Sequence, residues 1–213
     1  MKTDDLVAML ATSAGPVEPR TTARRYVMAL GWGAFGSMLI MILLLGVRPD
    51  LHQAALLPMF WIKLALPLSL VAAALTASTR LSRPGVRLGR VPVMLALPVL
   101  IVWMMAAWVL FVAAPDARAA LVLGNTWNLC PINVAVVSVP SFIAAMWAMR
   151  GLAPTQLALA GTAAGLLGGA MGAAVYALHC DEMQAPFLAV WYVLGMLIPA
   201  AAGALLGPRL LRW

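Results

Sequence analysis

The chain alternates between long apolar stretches and short polar segments. Six apolar stretches of at least 19 residues are each long enough to cross a hydrocarbon layer of roughly 30 Å as an α-helix. The pattern therefore predicts an all-α, polytopic membrane protein with six transmembrane helices. The predicted spans are residues 27–46, 56–77, 91–114, 131–149, 154–178 and 186–206.

The residues before the first span form a segment of mixed polarity, which divides the chain into a cytoplasmic part, 1–26, and a six-helix membrane part, 27–213. The stretch MKTDDLVAMLATSAGP predicts a short helix that ends at Gly15-Pro16. Such a helix is marginal alone, so we expect it to dock into a groove on a protein partner. A helix lying on the membrane is the alternative, although few basic residues would hold it there. The apolar face of this helix consists of Leu6, Val7, Met9 and Leu10.

Composition and charge agree with a membrane location. Hydrophobic residues make up 64% of the chain and charged residues 10%, and the mean hydropathy is +0.97. Of the fourteen Lys and Arg residues, eleven fall on the side of the two termini, two fall in the opposite loops and one lies within a span. This bias predicts a membrane protein with both termini in the cytoplasm. The net charge of +7 therefore indicates topology rather than nucleic-acid binding. The basic loop 80–90 suits contact with anionic membrane lipid.

The histidines and cysteines all fall on the outer side of this topology. His52 lies in the first outer loop and Cys130 at the outer start of the fourth span. His179 and Cys180 lie in the outer loop HCDE after the fifth span. A connection of only four residues, 150–153, joins the fourth and fifth spans as a helical hairpin. Both cysteines should therefore finish near the outer surface on neighbouring helices.

Two thiols in that arrangement could form a disulfide or share a soft metal ion such as Zn, Cd or Cu(I). Four nearby side chains could add ligands, because imidazole and carboxylate groups also bind such ions. A purely structural disulfide, or two unrelated thiols that merely fill apolar space, are the alternatives. The candidate additional ligands are His179, Asp181, Glu182 and His52.

The two thiols should differ in how easily they ionise. Cys130 precedes Pro131 at a helix N-terminus, where the helix dipole favours thiolate. Cys180 follows a helix and precedes Asp181 and Glu182, which should disfavour thiolate unless His179 or another cation compensates. A readily ionised thiol facing a second thiol suits a redox switch or a metal sensor.

Lys63 is the charged residue placed well inside a span, about seven residues from its outer end. Its side chain could extend outward to the membrane surface, or it could pair with an outer carboxylate such as that of Glu182. In the fifth span, Gly161, Gly165 and Gly169 recur at every fourth position, which favours close helix packing within the chain or in a dimer.

The chain resembles the anti-sigma-F factor family of NrsF-like bacterial inner-membrane proteins. The resemblance rests on the MKTDDLVAML start, the Cys that opens the fourth span, the RGLAP turn, YALHCDE followed by WY, and the closing LLRW. It implies a membrane-bound anti-sigma factor whose cytoplasmic N-terminus holds an extracytoplasmic-function sigma factor. It also implies that Cys130 and Cys180 sense heavy metal or oxidative stress from the periplasm, with no cofactor required.

Two other classes of function remain open. A small transporter or a metal-efflux accessory protein would need a polar pathway through the bundle, for which Lys63 is the one candidate. A membrane thiol oxidoreductase would be expected to carry a CxxC pair, which the sequence lacks. Phosphate-binding glycine loops are also missing, so the sequence does not predict an enzyme.

Overall fold

The computed structural model describes residues 3–13, 21–83, 85–152 and 154–212, and every regular element within these ranges is helical. Helix α1 spans Thr3–Ser13, and α2 spans Thr21–Ile40 and continues through a π-helical turn, Met41–Leu45. The remaining helices are α3 Leu51–Ala54, α4 Pro58–Leu81, α5 Val91–Val112, α6 Arg118–Leu123, α7 Cys130–Arg150, α8 Leu157–Tyr176, α9 Ala185–Phe187, a second π-helical turn Leu188–Tyr192, and α10 Val193–Leu210.

Six helical segments are long and apolar enough to cross a membrane, which confirms the predicted number of spans. Their limits are Thr22–Leu45, Pro58–Leu81, Val91–Val112, Cys130–Arg150, Leu157–Tyr176 and Ala185–Leu210. The largest difference is at the first span, because α2 begins at Thr21 rather than at residue 27. The stretch TTARRY is polar but still helical, and a hydropathy pattern detects only the apolar part of a helix. The proposed boundary between 26 and 27 therefore lies inside α2.

Helix α8 lies at the centre of the bundle and packs its glycines against the backbones of two neighbours. A Cβ at Gly161 would meet the carbonyl oxygen of Gly203 in α10, and one at Gly165 would meet that of Pro199. On another face, a Cβ at Gly172 would meet the Ser138 side chain in α7. The glycine stripe of the fifth span therefore packs within the chain, where it allows backbone-to-backbone approach.

A short polar contact joins the start of α2 to the end of α4. The Tyr26 and Ser82 hydroxyl oxygens lie 3.0 Å apart, and Ser82 Oγ also donates to the carbonyl of Ser78 at 2.7 Å. Tyr26 is 2% exposed, five residues after the start of α2. The beginning of the first span is thus fixed to the end of the second.

Candidate functional site

Cys130 and Cys180 belong to the same apolar cluster, at the end of the bundle opposite the contact between Tyr26 and Ser82. Cys130 is the first residue of α7 and is fully buried, and Cys180 lies in the loop between α8 and α9 with 3% of its surface exposed. Residues 177–184 are called the Cys180 loop below. Tyr176 and Tyr192 belong to the same cluster as the two cysteines. Both thiols are free, so this conformation contains no disulfide between them.

The pKa of the Cys180 thiol is lowered, and the largest cause is its interaction with the Cys130 thiol. Burial opposes this effect, and the nearby Lys63 ammonium supports it. The sequence predicted that Cys180 would resist ionisation unless a cation compensated. Lys63 is a cation in that position, so the carboxylates beside Cys180 do not decide its ionisation.

Lys63 is fully buried and binds the backbone of the Cys180 loop. Its Nζ donates to the carbonyl oxygens of Cys180 at 2.6 Å and of Glu182 at 2.8 Å, and it lies 5.3 Å from the centre of the Tyr192 ring. The side chain therefore does not extend outward to the membrane surface. It reaches Glu182 as the sequence suggested, but it contacts the backbone carbonyl and not the carboxylate.

Arg48, which the sequence reasoning missed, holds the same loop from the segment after α2. Its Nη1 donates to the carbonyl oxygen of Cys180 at 3.2 Å, and its backbone N–H donates to that of Leu178 at 3.2 Å. Its guanidinium also forms two 2.7 Å hydrogen bonds with the Asp50 carboxylate. These bonds raise the pKa of Arg48 and lower that of Asp50. The available signal was an arginine on the outer side, two residues from an aspartate.

The four additional candidate ligands are not assembled around the sulfurs. His179 Nδ1 lies 2.8 Å from the carbonyl oxygen of Gly46, and the Glu182 carboxylate accepts the Asn125 N–H at 2.6 Å. Asp181 and His52 are exposed. Within the described ranges, no group of three or more His, Cys, Asp or Glu side chains could hold a metal ion. The prediction that these residues complete one ligand set is therefore wrong for this conformation.

Gly124 makes room for the Glu182 carboxylate. A Cβ at Gly124 would lie 2.7 Å from Glu182 Oε1, and its φ of +56° is in the region that disfavours side chains. The carboxylate that the sequence offered as a metal ligand thus serves as an anchor between the Cys180 loop and the segment before α7.

The chain matches the profile of a family described as NrsF, negative regulator of sigma F, over residues 10–213. It is 54% identical over 213 residues to a probable anti-sigma-F factor NrsF from Azospira oryzae, and 40% identical over 215 residues to an anti-sigma-F factor NrsF from Caulobacter vibrioides. Both alignments cover the full length of each chain. The chain belongs to the NrsF family. No solved structure matches it.

As a member of the NrsF family, the chain is a regulatory anti-sigma factor, and anti-sigma factors bind a sigma factor. The family profile begins at residue 10, inside α1, whereas both relatives match from end to end. Val7 and Met9 on α1 are 59% and 58% exposed, so the rest of the described chain leaves them uncovered. The side chains of Leu6 and Leu10 lie outside the described residues.

The sulfurs of this NrsF-family chain fit some soft ions better than others. Two thiolates alone suit a two-coordinate ion such as Cu(I). Zn and Cd in protein sites take about four ligands. Either ion would need water, or a side chain such as His179 that first gives up its present partner. Cys130 and Cys180 would hold such an ion, which would supply a positive charge next to the two sulfurs within their apolar cluster.

Tyr192 offers a simple test of the interior of this site. Its buried hydroxyl has no hydrogen-bond partner within the described part of the chain, a situation that costs about 1–3 kcal/mol. We expect Tyr192→Phe to leave the thermal unfolding midpoint in detergent unchanged or raised. Tyr26→Phe is the matched control, because it removes a hydroxyl that Ser82 satisfies and should destabilise by about 1 kcal/mol. A lower midpoint for Tyr192→Phe than for Tyr26→Phe would show that the Tyr192 hydroxyl has a partner after all.

Proposed function

We propose that this anti-sigma factor resides in a bacterial inner membrane, sequesters an extracytoplasmic-function sigma factor, and releases it when Cys130 and Cys180 meet a soft metal or an oxidant. The observation that supports this most is that Cys130 and Cys180 are both free and buried in one apolar cluster, at the end of the bundle away from the start of α2. Family membership supports the sigma factor as the partner. The charge bias of the loops supports cytoplasmic termini and periplasm-facing cysteines.

The chemistry proposed for the sensor needs only the two sulfurs. A soft metal ion binds the thiolate forms and displaces the thiol protons. With hydrogen peroxide as the oxidant, two S–H bonds and the O–O bond break and one S–S bond forms. The sulfurs lose two electrons, and two water molecules carry away the electrons and both protons. Either event draws Cys130 and Cys180 into a fixed geometry and alters the packing of α7 against the Cys180 loop.

Capture of the sigma factor is assigned to the N-terminal segment. Helix α1 has three turns, so it gains little stability alone and becomes ordered by packing an apolar face into a groove on its partner. Exposed Val7 and Met9 flank the stripe that Leu6 and Leu10 form in the sequence. Acidic Asp4 and Asp5 in the first turn stabilise the helix through its dipole.

Alanine at both Leu6 and Leu10 is expected to abolish sigma capture while leaving membrane insertion intact. Serine at both Val7 and Met9 should act in the same direction, because it removes the flanking apolar surface. The measurement is a pull-down of candidate sigma factors by the full-length protein in lipid nanodiscs.

Ala8→Ser is the matched control, since Ala8 is exposed and lies on the face of α1 opposite Leu6 and Leu10. Undiminished capture by both double variants would discard α1 as the docking element. If no candidate sigma factor is retained by the unaltered protein, the proposed partner is wrong.

A further inference from the structure

The carbonyl oxygen of Cys180 accepts hydrogen bonds from two parts of the chain that do not carry the cysteines. Lys63 Nζ reaches it from α4 at 2.6 Å, and Arg48 Nη1 reaches it from the segment after α2 at 3.2 Å. Both donor residues are buried, with 0% of Lys63 and 8% of Arg48 exposed. A movement of the Cys180 backbone would therefore act directly on α4 and on the segment that follows α2.

The placement of Lys63 is difficult to explain by stability alone. Among the described residues, the ion pair found is Arg48 with Asp50, so the Lys63 ammonium lies near carbonyl groups and an aromatic face without a carboxylate. Burying a charge costs several kcal/mol, and an apolar residue of similar volume is often as stable or more stable at such a position. What Lys63 adds is a pair of strong hydrogen bonds to the Cys180 loop.

Both helices lead to the same point at the other end of the bundle. From Lys63, α4 runs 19 residues to Ser82, or about 28 Å at ~1.5 Å per residue. There Ser82 meets the Tyr26 hydroxyl of α2 at 3.0 Å. From this contact, α2 and its π-helical turn run back to Leu45, and Gly46 and Arg48 follow beside the Cys180 loop. The Cys180 loop is thus connected to the start of α2 by two routes, one through α4 and one through α2 itself. Helix α1 precedes that point in the chain.

We propose that Lys63 and Arg48 are the residues that transmit the signal from the cysteines to the N-terminal segment. By holding the Cys180 carbonyl between α4 and α2, they convert a displacement at its sulfur into a relative shift of these helices at Tyr26. This inference rests on the proposed function for the identity of the signal and of the output. It concerns positioning residues, since neither side chain binds the metal or reacts with the oxidant.

The experiment compares hydrogen exchange of the backbone amides at residues 22–28 with and without cadmium, in the full-length protein in nanodiscs. Cadmium should alter this exchange in the unaltered protein, and the change should be lost in Lys63→Met and in Arg48→Gln. Cadmium binding itself, measured by equilibrium dialysis, should persist in Arg48→Gln. Lys63→Met also removes a cation that favours the Cys180 thiolate, so its affinity for cadmium should fall, and it is compared at a cadmium concentration that saturates it. Lys63→Arg retains the donors and should restore part of the response.

Sigma capture provides the second measurement. Both variants should bind the sigma factor in the absence of cadmium. The loss of affinity for the sigma factor that cadmium causes should be roughly tenfold smaller in the variants than in the unaltered protein. Arg118→Gln is the matched control, because Arg118 is an outer arginine whose side chain bonds to Ala113 and not to the Cys180 loop. It should respond as the unaltered protein does.

The proposal is overturned if cadmium leaves hydrogen exchange at residues 22–28 unchanged in the unaltered protein. It is equally overturned if cadmium changes this exchange in the two variants as much as in the unaltered protein. It is also overturned if both variants release the sigma factor without cadmium, which would make them supports of the resting state. Should Lys63→Met fail to accumulate, Arg48→Gln decides alone. A failure to capture any sigma factor would instead refute the proposed function, because the exchange measurement does not depend on that partner.

Discussion

Serine at Cys130 or at Cys180 is expected to keep the sigma factor bound after exposure to cadmium or peroxide. Serine preserves the size of the side chain and a hydroxyl donor, but it cannot form a disulfide and is a poor ligand for soft metals. A complete switch from bound to released sigma factor requires about 5.5 kcal/mol of differential binding. Removing one of two sulfurs should abolish most of it, because either sulfur alone cannot bridge α7 and the Cys180 loop.

The measurement is the amount of sigma factor retained by each variant in nanodiscs across a range of cadmium or peroxide concentrations. Capture without treatment should equal that of the unaltered protein, which separates loss of sensing from loss of folding. His52→Ala is the control, because His52 is exposed and lies outside the cysteine cluster. Normal release by either serine variant would remove the cysteines from the sensing mechanism.

Gly161→Ala is expected to cause a large loss of stability for the addition of a single methyl group. The added Cβ would meet the Gly203 carbonyl and lie 2.9 Å from the Cα of Gly207, so both obstacles are backbone atoms of α10 that cannot rotate away. Overpacking usually costs about 1–3 kcal/mol, and a clash with backbone should reach the upper end of this range or exceed it. Thermal unfolding in detergent and the yield of membrane-inserted protein would both report the effect.

Gly31→Ala is the matched control for that substitution. It makes the same chemical change within a predicted span, but a Cβ at Gly31 would have no atom within 4 Å. Because alanine favours helix over glycine by roughly 0.5–1 kcal/mol, this variant should be as stable as the unaltered protein or more so. Equal stability of the two variants would mean that α8 and α10 do not approach as closely as described.

The number of spans and the placement of both cysteines at one end of the bundle were readable from the sequence, because both follow from hydropathy and the lengths of the connections. The ends of the helices were harder to predict from the sequence, as α2 illustrates. Its first turn is polar, and apolar content does not show where the backbone hydrogen bonds of a helix begin. The six-span pattern was confirmed, whereas the assignment of the cysteines to sensing stays a prediction.

The contacts of the Cys180 loop were not readable from the sequence for a different reason. Lys63 was singled out because a charge inside a span is unusual, yet its partners are backbone carbonyls, and every residue has one. Arg48 attracted no notice because a loop arginine is ordinary until its neighbours in space are known. His179 and Glu182 were expected to face the sulfurs, but hydrogen bonds to Gly46 and Asn125 engage them elsewhere.

The π-helical turn Met41–Leu45 has a consequence for experiments that follow a periodic signal along the first span. A π-helical turn contains one residue more than an α-helical turn, and each residue of an α-helix advances by about 100°. In a labelling scan through the first span, the helical period of the signal should therefore shift by about one residue near position 41. Positions beyond it, including Gly46, would appear on faces that an uninterrupted helical wheel assigns to other residues.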